Sequence, residues 1–157
     1  MVETAQKFDI YNDKSVKVVD AQVSPVSITG LTPNITYKGY HATYAGQSNK
    51  TEIPSFTTQD VVPGAPTLAV TPGNGKVDIK LVAGTNSGSA VTGYKVYYTD
   101  GKKPLTMDLK DSLTGTITGL TNSTPYTFQA VAINGAGESA KSNSVISTPV
   151  ISNPVIK

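Results

Sequence analysis

One histidine, eleven carboxylates and thirteen lysines are the residues with which this chain could do chemistry. His41 stands between Tyr40 and Ala42 in a stretch that reads as a strand. With no cysteine and no second histidine, a zinc site lacks its usual ligands. A Ser-His-Asp arrangement needs the histidine held by a carboxylate, and nothing near His41 supplies that pattern. Asp108 with Asp111, or Asp9 with Asp13, are the pairs closest to glycosidase spacing. Asp108 falls opposite the apolar Leu105, Met107 and Leu109, so it reads as solvated. Asp100 with Asp108 has no calcium-loop signature. Gly73-Asn74-Gly75 and Gly135-Ala136-Gly137 each sit between strands rather than opening a helix, which makes them hairpin turns and not phosphate loops. These residues predict a protein that is not an enzyme and that holds no metal or cofactor.

Charge excludes a second class. The net charge is +2 and only 15% of residues are charged. The cations are all lysine, without the arginine fork favoured for phosphate and guanine. Lys102-Lys103 is the one adjacent pair, so the lysines read as a solvated surface and nucleic acid is not expected as a partner. No apolar run approaches the length that crosses a membrane. Residues 1–6 lack the basic start and apolar core of a secretory signal, which predicts synthesis in the cytoplasm without export. Among the tyrosines, Tyr11, Tyr40, Tyr44 and Tyr97 alternate with inward positions or lie near strand ends. They either face outward, where a tyrosine suits stacking on sugar or protein, or pack across strands.

The elements that position these residues are strands. Residues 59–66 contain two prolines and a glycine and break any regular element. After them, short alternating runs recur at even spacing. Val77, Ile79 and Leu81 share one face of residues 76–82. Tyr94, Val96 and Tyr98 share a face of residues 93–98. Tyr126, Phe128, Ala130 and Ala132 alternate along residues 126–133. Asp100-Gly101 marks a hairpin. Seven strands are predicted between residues 66 and 149.

This stretch resembles a fibronectin type III domain. The resemblance is carried by Gly93-Tyr94-Lys95-Val96-Tyr97-Tyr98, by Leu120 with Tyr126, and by Asn134 through Gly137 to Ser139. It implies that Leu120 and Tyr126 form a corner where a buried tyrosine bonds back to the backbone. The family usually has tryptophan in its second strand; here Leu81 stands there. No Arg-Gly-Asp motif is present.

The front of the chain repeats the second half of that pattern. Ile28-Thr29-Gly30-Leu31-Thr32 matches Ile117-Thr118-Gly119-Leu120-Thr121, and Tyr37 follows Leu31 as Tyr126 follows Leu120. Phe8-Asp9-Ile10-Tyr11 resembles Tyr94-Lys95-Val96-Tyr97. Nothing before Phe8 supplies the first two strands. The expected organisation is all-β: a truncated five-strand domain over residues 1–60, a linker over 61–66, a seven-strand sandwich over 67–149 and a tail over 150–157. Phe8, Ile10, Ile28 and Tyr37 would then lack cover. Leaving about 300 Å² of apolar surface wet forfeits roughly 7 kcal/mol. Such a unit docks on a partner, pairs with copies of itself, or adopts a small closed fold of its own. The apolar tail residues Val150, Ile151, Val155 and Ile156 either add as a strand to a neighbour or fray.

A half-unit followed by a fibronectin-like sandwich resembles accessory virion proteins of tailed bacteriophages. That resemblance implies a non-enzymatic structural protein located in the virion. Its front face (Phe8, Ile10, Ile28, Tyr37) would dock on capsid or tail or self-associate. Its exposed tyrosines would touch host surface carbohydrate weakly. The alternative is a carbohydrate-binding or spacer module of a secreted bacterial polysaccharide-degrading enzyme.

Overall fold

The structure, a computed structural model, describes residues 5–151. It divides into two compact units, Met1–Gln59 and Asp60–Lys157. Residues 1–4, part of the stretch expected to lack a secretory signal, and Val155 and Ile156 of the tail lie outside the described residues. Among the described residues every regular element is a strand, and all strand pairs are antiparallel.

Among its described residues the front unit holds six strands: β1 (Lys7–Tyr11), β2 (Lys17–Val23), β3 (Thr36–Tyr37), β4 (His41–Tyr44), β5 (Thr51–Glu52) and β6 (Phe56–Thr57). Four of them form one sheet in the order β2-β1-β4-β5, and β3 pairs with β6 separately. The stretch over residues 37–44, which reads as one long strand, is split into β3 and β4. Gly39 adopts φ +74, a conformation that breaks a strand and suits glycine. The turn there separates β3 from β4 and resets the alternation, so Tyr37 and Tyr40 both point inward. The segment around Ile28 forms no strand, because no strand lies beside it to pair with among the described residues.

The front unit encloses a small core of its own. Ile10, Val19 and Tyr40 are buried, with Val26, Ile28, Leu31, Tyr37, Ala42, Ile53 and Phe56 packed around them. Of the four residues expected on one face, Ile10 is buried, Ile28 and Tyr37 are partly buried against it, and Phe8 is partly buried elsewhere. Ile10 is only 5% exposed. Tyr37 stacks on Phe56 at 5.7 Å and meets Tyr40 edge-on at 5.9 Å. Phe8 stands apart from this cluster and packs on Tyr44, its partner across β1 and β4, at 5.3 Å.

The rear unit holds β7 (Thr67–Gly73), β8 (Lys76–Val82), β9 (Gly93–Thr99), β10 (Leu105–Lys110), β11 (Thr114–Thr118), β12 (Tyr126–Asn134), β13 (Gly137–Glu138) and β14 (Val145–Ser147). One sheet runs β11-β8-β7. The other runs β10-β9-β12-β13, with β14 also on β12. Period-2 side chains from both sheets fill the space between them. Leu68, Val77, Ile79, Leu81 and Ile117 come from the first sheet; Tyr94, Val96, Leu109, Phe128, Ala130 and Ala132 come from the second. Leu81 fills its place in this core at 3% exposure without a tryptophan.

Residues 60–66 are tied to the rear unit. The Asp60 carboxylate accepts from Ser89 N–H at 2.8 Å and from the Ser89 hydroxyl at 2.6 Å. Asn134 donates to Val61 O at 2.8 Å, and Gly64 N–H donates to Thr85 O at 2.7 Å. Pro63 and Pro66 are buried.

Candidate recognition face

The strand alternation that sends Tyr94 and Val96 into the core turns Lys95 and Tyr97 outward from β9. Across β12 lies β13, where Glu138 pairs in register with Ile133. Glu138 joins the two β9 side chains. Lys95 Nζ sits 2.7 Å from one of its carboxylate oxygens, and the Tyr97 hydroxyl donates to the other at 2.8 Å. Lys95 lies 5.9 Å from the Tyr97 ring centre and Lys141 5.2 Å, both within cation–π reach.

The electrostatics follow from these contacts. The Lys95 ammonium and then the Tyr97 hydroxyl hold the Glu138 carboxyl below its usual range. Glu138 in turn pushes Lys95 up. Its hydrogen bond, then burial, raises the Tyr97 phenol. The result is an aromatic ring tethered at its hydroxyl, with charges of both signs around it. A ring immobilised before contact loses little rotamer freedom on binding, which suits a protein surface. It offers no activated nucleophile and no acid–base pair.

The other tyrosines are distributed differently. Tyr40, expected among the outward group, is buried at 7% exposure, because the turn at Gly39 rotates it into the front core. Tyr44 is exposed, with Phe8 against its ring. Tyr11 stacks on His41 at 5.2 Å with the rings nearly parallel. The structure therefore does not bring Tyr11, Tyr44 and Tyr97 to one surface of one unit. Asp108 and Asp111 are exposed. Asp9 accepts from Ala21 N–H at 2.8 Å and pairs with Lys17 at 3.0 Å, a structural tie. Glu138 and Lys141 were not singled out from the sequence. The available signal was Lys95-x-Tyr97 on outward positions, which required a partner from a neighbouring strand.

Both tyrosine corners are present. Thr121 N–H donates to the Tyr126 hydroxyl at 3.2 Å, and Thr32 N–H donates to the Tyr37 hydroxyl at 2.8 Å. Leu120 and Tyr126 are buried at 7% and 8% exposure.

Two packed antiparallel sheets, a tyrosine corner and an ordered polar patch on one sheet define a β-sandwich module of the immunoglobulin-like class. The family model described as Fibronectin type III domain matches residues 69–148, just over half of the chain. The chain belongs to the fibronectin type III family. It is 31% identical to receptor-type tyrosine-protein phosphatase F of Mus musculus over 138 residues, which are 84% of this chain and 7% of that protein. The same receptor of Homo sapiens is 30% identical over 149 residues, 87% of this chain and 8% of the receptor. Among solved structures, domains d3-d4 of the rat CD45 extracellular region align with a TM-score of 0.63 at 13% identity, covering 83% of this chain and 72% of that one. Titin kinase and its flanking domains align with a TM-score of 0.50 at 23% identity, covering 56% of this chain and 17% of that one. The two structures agree with this chain in fold.

These relatives correct the functional expectation. They are receptor-type phosphatases of mouse, cattle, rat and human. Neither a structural role in a phage particle nor a virion location is compatible with them, and they give no support to a module of a bacterial polysaccharide-degrading enzyme. The misreading arose because the sandwich pattern specifies a fold shared by many functions.

Proposed function

We propose that this chain is a non-catalytic fibronectin type III segment of a receptor-type cell-surface protein, and that its β10-β9-β12-β13 sheet receives a protein partner. The observation that carries the reading is the fixed Lys95–Glu138–Tyr97 cluster with Lys141 above the ring. The receptor-type relatives support the location. Their phosphatase activity is not carried over, since the match spans only 7–8% of their length. Charged groups around a rigid aromatic set orientation and partner choice more than raw affinity.

A membrane-impermeant amine reagent applied to intact cells that express the protein tests the location. Labelling of its exposed lysines supports the reading, and labelling only after permeabilisation overturns it. For the face, a surface coated with the full chain retains such cells. Tyr97→Ala combined with Lys141→Glu lowers retention several-fold, while unchanged retention removes the assignment.

A further inference from the structure

The two units repeat each other at one constant offset through residues that pin the backbone. Ala21 and Lys110 have φ 49 and 52, Gly30 and Gly119 have φ 74 and 75, and Asn34 and Ser123 have φ 55 and 62. The Thr32–Tyr37 bond reproduces the Thr121–Tyr126 bond. Residues 26–30 therefore occupy the place that β11 and the turn after it hold in the rear unit. There, β11 pairs with β8, Ile117 opposite Val77, and both side chains are buried at 3% and 0% exposure. Beside residues 26–30 no strand lies among the described residues. In that place an open cleft of about 500 Å³ is lined by Ile10, Val26, Ile28, Leu31, Ile53 and Phe56.

We propose that this cleft is a β-strand acceptor: an extended polypeptide with an apolar residue at every second position pairs antiparallel with residues 26–30 and covers Ile10, Ile28 and Phe56. The chemistry of the occupant is set by β8, which fills the equivalent place in this same chain. It carries Val77, Ile79 and Leu81 inward and lysine and aspartate outward. Backbone bonds supply attachment and the alternate apolar side chains supply selectivity. The unpaired edge beside Ile28 supplies the donors and acceptors. The proposal goes beyond the surface role and does not depend on the Tyr97 cluster.

The probe is a synthetic peptide with the sequence of residues 74–84, added to the full chain. Hydrogen exchange of residues 26–30 slows, and the signals of Ile10, Ile28 and Phe56 shift on titration. A peptide with serine in place of the three inward residues binds more than ~100-fold more weakly. Ile28→Asp abolishes binding. Ile28→Ala, which keeps the backbone donors and removes most of one apolar contact, weakens it too, and it serves if the first variant does not fold. Unchanged exchange at saturating peptide overturns the proposal, as does equal binding of the serine peptide or perturbation confined to the rear unit. A dimer that forms without peptide and is broken by Ile28→Asp also overturns it, assigning the cleft to a second copy.

Discussion

Thr32 and Thr121 each direct a backbone N–H at the hydroxyl of a tyrosine five residues on. Removing that hydroxyl leaves a donor unpaired next to the turn between sheets. Tyr126→Phe therefore costs the rear unit about 1 kcal/mol, read as a lower denaturant midpoint with an unchanged slope. Tyr37→Phe acts with the same sign on the front unit. Ser142 is a stricter case. Its hydroxyl accepts from Ala130 N–H at 2.9 Å and donates to Asn143 O at 2.8 Å, where the chain after β13 leaves the ladder. Ala130 is fully buried. Ser142→Ala leaves that buried amide without its acceptor and costs about 1–3 kcal/mol by the same measurement. The tyrosine corners were legible as Leu-x5-Tyr spacing. The serine was not, because a hydroxyl that replaces a strand bond looks like any loop serine until the strand beside it is in place.

β12 is the element on which the rear unit turns. It pairs with β9 along seven residues, takes β13 and β14 on its other side, and places Phe128 at 0% exposure against Tyr98 and Tyr126. Phe128→Ala opens a cavity that a close-packed sandwich cannot collapse around. It lowers stability by about 3–5 kcal/mol, enough to approach the whole margin of a small domain. Calorimetry of the full chain checks this. The strands of the rear unit could be read in advance because each is half-buried, so inward and outward positions differ at every second residue. The front strands could be read less well. Gly39 and the short β3, β5 and β6 interrupt the period, and the interruption moved Tyr40 from surface to core.

At the scale of the molecule, charge ties loops and edges to both units. Ala21 N–H and then Lys17 hold Asp9 low, and Ser89 does the same for Asp60. The Thr116 hydroxyl and Lys76 hold Asp78 low, and Lys95 and Tyr97 hold Glu138 low. A carboxyl with a depressed folded pKa contributes stability above its unfolded value. That contribution is lost as pH falls through the folded one. The melting temperature is therefore expected to drop on acidification below about pH 4. The raised lysines Lys17 and Lys95 contribute in the opposite window, with stability lost as pH rises beyond about 10. A melting temperature that stays flat across both windows contradicts these ties. The sequence by itself determined the all-β class, the fibronectin type III pattern, the alternating core of the rear unit and the repeat at the front, since each rests on local periodicity or on spacing within one turn. Only the tertiary structure decided that Glu138 and Lys141 meet Tyr97, that residues 60–66 are tied to the rear unit, and that Ile10 lies inside a small core with an open cleft beside it. Those facts depend on which strands lie side by side. Strand neighbours are fixed by long-range burial, which no local window of residues contains.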